Sequence, residues 1–186
     1  MSVLIVPFRF FILIIIWSAV YSNSASDSIG GYSLSSMITY FLISSLVFTF
    51  IYDTIAEELE KEIKKGNFLV FLLKPFSYVK LGFLKKIANR SFSVIIEVIP
   101  ILLLFLLFFR KYFVMGEIGF FTISVLFSFV ISYFIYLLIG MIAFWLINIR
   151  SLAWLMSFGI QLSAGLYVPI DLFPPVIRSF FNFLPF

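Results

Sequence analysis

The sequence predicts an all-α protein, a polytopic transmembrane helical bundle of about five spans with a cytoplasmic amphipathic segment between spans two and three. Three observations carry that expectation. Of the 186 residues, 63% are hydrophobic and 12% charged, whereas soluble domains run at roughly 45–50% apolar and about 25% charged. The apolar residues fall in runs that can cross about 30 Å of hydrocarbon at about 1.5 Å of rise per residue. The charges gather in one stretch, residues 53–90. Aromatics make up 21% of the chain, with 27 Phe, a composition that suits lipid-facing helices and interfacial belts.

The first span is residues 3–21, an apolar run carrying only Arg9. It is longer than the roughly 7–15 residues of a signal peptide's apolar core, which favours a retained span. A cleaved leader, using the small residues 22–26, is the alternative. Residues 22–36 hold Asp27 and Gly30-Gly31 but no Lys or Arg, and read as a short loop. Span two is residues 37–52. Span three, residues 91–109, contains Glu97 and Pro100, and a turn at 110–117 leads into span four at 118–147. That last run is long enough to tilt or to enter the headgroups. Asn148, Ile149 and Arg150 make a tight turn before span five at 152–168. The remainder, 169–186, has four prolines.

Orientation follows from Lys and Arg near span ends. With the N-terminus cytoplasmic, Arg9, Arg150 and the eight basic residues of 53–90 lie inside, ten in all, against Arg110, Lys111 and Arg178 outside. The chain contains no Cys and no His. Thiol chemistry, disulfides, the usual zinc sites and His-based acid–base catalysis are excluded. An intramembrane enzyme is disfavoured further by the lack of paired acids within the spans. A secondary transporter would want more charged or broken-helix sites at mid-membrane.

The hydrophilic segment has internal order. Thr54 and Glu57 have capping-box spacing at the head of a helix over 54–65. Ile55, Leu59 and Ile63 form one apolar stripe. Glu57 with Lys61, and Glu60 with Lys64, are acid-first i,i+4 pairs, and Gly66 is placed to end the helix. The apolar run 68–73, closed by Lys74-Pro75, is too short to span and must lie in the interface or against protein. Ser77 can cap a further helix with Val79, Phe83 and Ile87 on one face and Lys80 and Lys86 flanking it. Such a basic amphipathic helix suits an anionic leaflet. On the residues alone, the segment is either an ordinary solvated connection or a docking element for a cytoplasmic partner.

Glu97 lies about two turns into span three, where a carboxylate costs about 2.5–3.5 kcal/mol on insertion scales. It either contacts a substrate or a proton, or is hydrated or paired with a residue such as Arg90. Pro100 should kink the span, shaping either a pathway or mere packing. Gln161, Ser163 and Gly165 serve helix packing or a substrate path. Asp171, among prolines, stabilises a turn.

The string Glu62-Ile63-Lys64-Lys65-Gly66-Asn67-Phe68-Leu69-Val70-Phe71-Leu72-Leu73-Lys74-Pro75-Phe76-Ser77 resembles the cytoplasmic stretch of ATP-binding-cassette (ABC) type-2 permeases. There an acidic helix leads into a Gly-Thr/Asn-Leu step, a Leu-Leu pair and a Pro-x-Ser; Asn67 and Phe68 stand where Thr and Leu are more usual. Gly31-Tyr32-Ser33-Leu34 with Met37-Ile38-Thr39-Tyr40 is similar to the segment opening span two in one branch. Ser163-Ala164-Gly165-Leu166-Tyr167-Val168-Pro169, then Leu172-Phe173-Pro174 and Leu184-Pro185, is similar to the outer-face hairpin after span five.

The resemblance implies a single permease domain over 1–186, with 53–90 as the cytoplasmic coupling loop and 169–186 as the outer-face hairpin. It implies an exporter half in the cell membrane that pairs with a second copy or paralogue. Each half would dock a separate ABC ATPase through Glu58, Glu62, Gly66, Asn67, Phe68, Phe71, Leu72 and Pro75. The possible substrate path would use Glu97, Pro100, Gln161 and Ser163. No Gly-x-x-x-x-Gly-Lys-Ser/Thr loop is present, so ATP would be bound by the partner. The chain itself needs no cofactor or metal and is not expected to be an enzyme or to bind nucleic acid. The family has six spans, and the given sequence stops where the sixth would begin. A non-transport membrane scaffold, binding a cytoplasmic partner through the same loop, is the alternative function.

Overall fold

A computed structural model describes residues 5–24, 28–100, 102–103, 118–146 and 148–184. Asp27, the turn at 110–117, Pro185 and most of the second half of the expected third span lie outside the described residues.

Helix α1 is Ile5–Ser22. A two-stranded antiparallel hairpin follows, β1 (Ser28–Ile29) and β2 (Tyr32–Ser33), with Ser28 opposite Ser33 and Ile29 opposite Tyr32. Its turn is Gly30-Gly31, at φ 58° and 86°, the left-handed pair that a tight hairpin turn requires. The expected loop over 22–36 therefore contains a hairpin. Helix α2 (Leu34–Ile51) begins earlier than its apolar run, because Ser33 Oγ accepts the Ser36 N–H at 3.3 Å and so supplies an N-cap. Leu13 of α1 packs with Met37 and Phe41 of α2, and Trp17 stacks on Phe41 at 5.5 Å.

Helix α3 (Ile55–Lys64) keeps the predicted apolar stripe but not the predicted capping box. Thr54 makes no side-chain cap. Its hydroxyl instead donates to Glu58 Oε1 at 3.1 Å, while Asp53 Oδ1 accepts the Ile55 N–H at 2.9 Å. The acid one residue upstream reaches the free N–H and takes over the capping role. Glu60 and Lys64 form their expected ion pair. Glu57 turns inward, and burial raises its pKa, partly offset by its own backbone N–H and then by Lys61 and Arg150. Gly66 ends the helix as expected, at φ 72°.

Helix α4 (Phe68–Leu72) is one short turn-and-a-half. Helix α5 (Tyr78–Ser93) starts after Ser77, which holds extended backbone but makes no side-chain cap. The chain then passes through a π-helical turn, Val94–Val98. Pro100 has no N–H, and its ring crowds the carbonyl four residues back. The Ile99 N–H correspondingly reaches five residues back, to Val94 O. The expected kink is thus a π turn, and Glu97 is buried within it.

Helix α6 (Ile118–Met141) ends in a 3-10 turn, Ile142–Phe144, short of the expected boundary. Asn148 Oδ1 accepts the Arg150 N–H at 3.1 Å and starts α7 (Arg150–Ser163). Gly165, at φ 75°, closes α7. A 3-10 turn (Ile170–Leu172) leads to α8 (Pro175–Asn182), which has Pro at its first position, where a missing N–H costs nothing. Among the described residues, Leu34–Lys64 and Gly119–Phe144 are long and apolar enough to cross a membrane.

The largest core cluster lies between α3 and α6. Ile55, Ala56 and Leu59 are buried against Tyr133, Tyr136, Leu137 and Ile139, with Ile63 packed alongside. The helices touch closely because two small residues meet: a Cβ on Gly140 would lie 2.9 Å from Ala56 Cα. The backbone on the far side cannot give way easily. Gly140→Val should therefore cost about 1–3 kcal/mol by overpacking, seen as lowered thermal stability in detergent. Gly159→Ala, where a Cβ meets nothing within 4 Å, should leave stability unchanged.

Candidate functional site

A polar junction sits where α2, α3, α5 and α6 meet. Asp53 connects α2 to α3, and its second oxygen, Oδ2, lies 3.2 Å from Lys86 Nζ. Both side chains are buried, at 7% and 1% exposure, so this pair is screened far less than a surface bridge. Lys86 also donates to Phe129 O at 2.9 Å and Ser132 Oγ at 2.7 Å on α6. Two hydrogen bonds to α6 thus stand beside the ion pair to Asp53. The Phe129 ring lies below it, 4.4 Å from centroid to Nζ. Ser132 in turn donates to Ile51 O at 2.8 Å, with Phe129 O also in reach at 3.0 Å.

Arg90, one turn further along α5, donates to Thr49 O at 3.1 Å and lies 5.4 Å from the Tyr52 ring centre. The last carbonyls of a helix lack intrahelical partners, and its C-terminus attracts cations. Lys86, through Ser132, and Arg90 together serve the C-terminus of α2. Burial lowers the Lys86 pKa to about 8, and Asp53 opposes that shift. The ammonium is thus still protonated at neutral pH.

The inward face of α5 differs from the expected one. It holds Val79, Gly82, Phe83, Lys86 and Arg90, whereas Ile87 is exposed. Lys86, expected to flank the face, is its centre, because Asp53 and the α6 polar groups solvate it better than the helix surface can compensate for burying Ile87. Gly82 makes room for Tyr133, whose hydroxyl donates to Val79 O at 2.6 Å; a Cβ at Gly82 would meet that oxygen at 2.6 Å.

Helix α4 projects from this junction. Phe68 packs on Tyr78 and Phe144 with ring centres 5.4 and 5.1 Å away, and Phe71 packs on Tyr78 at 5.3 Å. Lys74 Nζ lies 5.0 Å from the Phe71 ring centre. Leu69, Val70, Leu72, Leu73 and Phe76 are exposed, Leu73 by 87%. Of the eight expected coupling residues, Phe68 and Phe71 are thus clamps that hold the knob. Leu72 is on its free face, and Gly66, Asn67 and Pro75 are exposed at its ends. Glu58 and Glu62 are half-buried on α3.

Residues 8–186 match the family described as ABC-2 family transporter protein. The chain belongs to that family. Comparison with curated proteins and with solved structures finds no match. This ABC-2 protein is therefore a membrane transport component of permease type, and its family implies an ATPase partner.

The residues expected along a substrate path in this permease do not come together. Glu97 is buried close enough to Arg90 to act on its charge, and Arg90 touches α2 at Thr49. Ser163 is buried and donates back to Gly159 O at 2.8 Å, with Ile160 O at 3.1 Å. Gln161 accepts from the Tyr167 hydroxyl at 2.9 Å. These last residues lie beside Gly165, whose carbonyl accepts from the Tyr40 hydroxyl at 2.9 Å. Thr49 and Tyr40 are about 13 Å apart along α2 at 1.5 Å per residue. Pro100 acts by forcing the π turn.

Two sets of contacts were missed from sequence. One is the Asp53–Lys86 pair. The other ties the hairpin to the distal turn: the Tyr32 hydroxyl donates to Asp171 Oδ2 at 2.9 Å, and Asp171 Oδ1 pairs with Arg178. Only Asp171's turn-stabilising role was readable.

The junction predicts a clear double-mutant cycle. Asp53→Asn or Lys86→Met alone leaves a buried charge without its partner and should cost about 3–5 kcal/mol. The double variant should cost far less than the sum, giving a coupling energy within the 0.5–3 kcal/mol common for contacting residues or above it. Denaturant or thermal unfolding in detergent measures each corner.

Proposed function

We propose that this ABC-2 protein is the membrane-spanning subunit of an ATP-driven exporter, and that α3 and α4 receive the force of a separate ABC ATPase. Two such subunits, identical or paralogous, form the pathway. The chain contributes the five apolar runs read above as spans, with its N-terminus on the cytoplasmic side. The ten-to-three distribution of Lys and Arg supports that orientation. ATP belongs to the partner, since the sequence has no P-loop.

The observation that carries this reading is the mounting of α4. An exposed helix of apolar side chains is costly in water and is stable only if something else covers it. Here that face is held on a rigid base. Phe68 and Phe71 clamp it to Tyr78 and Phe144, Gly66 joins it to α3, and α3 is pressed onto α6 at Ala56 and Gly140. A push on Leu69, Leu72 or Leu73 passes through packed side chains to α6 and, through Asp53, Lys86 and Ser132, to the end of α2. A flexible loop could not transmit such a displacement. The half-buried Glu58 and Glu62 steer α3 rather than offer the main contact.

The test is co-purification with an ABC ATPase, sought among the products of the reading frames next to this one. The double variant Leu69→Asp/Leu72→Asp should weaken binding by about 30-fold or more, the loss expected from an interface hot spot worth about 2 kcal/mol. Val176→Asp on α8, an exposed apolar site elsewhere, should bind as wild type does. Wild-type binding by Leu69→Asp/Leu72→Asp would refute the docking role of α4.

A further inference from the structure

We infer that the outward face of α5 and the π turn after it is a binding site for an anionic phospholipid. Helix α5 carries four basic residues and no acid: Lys80, Lys85, Lys86 and Arg90. Two of them, Lys86 and Arg90, turn inward and are satisfied at the junction. Lys80 and Lys85 are exposed and flank the outward face from its two sides, Lys85 at the rim of the cleft that Asp53 and Glu58 line. No ion pair forms at either among the described residues. The same outward face continues as an apolar line. Leu84 lies four residues after Lys80, and Phe92, Ile95 and Ile99 follow, all exposed by 44% or more.

The dimensions fit one lipid of one leaflet. From Phe92, at the start of span three, to Ile99 the helix rises about 10 Å into the hydrocarbon of one leaflet, with Leu84 at the headgroup level. Lys80 and Lys85 lie at the head of that line, within a turn of Leu84, where a headgroup phosphate would sit. A charged head above a long apolar stripe is the shape of a phospholipid, and the two unpaired cations select a negative headgroup. Attraction of juxtamembrane Lys to anionic lipid is worth about 1 kcal/mol each, a factor of about 5 in local occupancy. The π turn contributes by keeping Ile95 and Ile99 on the outward face while Glu97 stays buried. This site does not depend on α4 or on an ATPase, so its failure and that of the coupling reading are separable.

The test uses the full chain with its three Trp residues, Trp17, Trp145 and Trp154, replaced by Phe, and Phe92→Trp as the sole fluorophore. The protein is placed in bilayers of phosphatidylcholine containing either brominated phosphatidylglycerol or brominated phosphatidylcholine, and quenching gives the relative association constant at the stripe. Phosphatidylglycerol should be favoured by about 5-fold for each lysine. Lys80→Gln/Lys85→Gln should abolish the preference, and Lys61→Gln/Lys65→Gln on α3 should preserve it. Inorganic phosphate, matched in ionic strength with chloride, should not displace the lipid. Native mass spectrometry of the chain with its own Trp and Phe92 provides a second reading: phosphatidylglycerol adducts should survive there and be lost in Lys80→Gln/Lys85→Gln. Equal association of the two lipids, or a preference that survives Lys80→Gln/Lys85→Gln, overturns the proposal. So does displacement by phosphate alone, which means a free-anion site. Absence of quenching by either lipid also overturns it, because the face is then covered by protein, such as a second copy of the chain.

Discussion

The buried pair between Asp53 and Lys86 organises this protein. One carboxylate caps α3 through the Ile55 N–H and holds the ammonium of α5. That ammonium in turn binds α6 through Phe129 O and Ser132 Oγ. Desolvating two charges costs several kcal/mol per ion before any attraction is counted. The cost is offset here because Lys86 donates to two oxygens of α6 beside the ion pair and because Asp53's other oxygen caps a helix. Lost on one side only, the pair would leave an ion in an apolar junction. The geometry of four helices thus hangs on two side chains.

Packing reinforces what the charges arrange. Ala56 and Gly140 let α3 lie against α6, and Tyr133 fills the space that Gly82 leaves open. Both contacts need a small residue opposite a large or unyielding one. The amphipathic helix that a sequence reading places in the cytoplasm is therefore not a loose strap. Its apolar stripe is buried against the long apolar helix, Glu57 turns inward, and Glu60 is buried and paired with Lys64. The α4 knob inherits that rigidity, which is what a force-receiving element needs. At the other end of α2, Tyr32, Tyr40, Asp171 and Gly165 tie the hairpin to the turn after α7, so the helix is braced at both ends.

Much of this was legible in the sequence, for physical reasons that differ between elements. Helices α2 and α6 were visible because long apolar runs have few other uses. Helix α3 was visible because its stripe, its charge order and Gly66 all agree. Similarity in the 62–77 string pointed to the family that the match over residues 8–186 establishes. Local capping was misread: Thr54 and Glu57 have the right spacing, yet Asp53 is nearer to the free N–H. The inward face of α5 was misread because periodicity ranks Ile87 above Lys86. Only tertiary partners on α2 and α6 make a buried lysine favourable. Contacts such as Tyr32 with Asp171 join residues far apart in the chain, and no local pattern encodes them. The contacts of the expected substrate residues were hidden for a related reason. Ser163 and Gln161 are polar within an apolar run, and Ser163 bonds back to Gly159 O while Gln161 accepts from Tyr167.

The central claim is that α4 is fixed to α6 through the junction, and spin-label distances test it most directly. The chain has no Cys, so labels can be placed at Leu69→Cys on α4 and Phe127→Cys on α6, both at exposed sites. Pulsed electron paramagnetic resonance in nanodiscs should give one narrow distance distribution, which broadens when Asp53→Asn is added. A broad distribution in the protein with an intact junction, or a narrow one that Asp53→Asn leaves unchanged, would contradict the account.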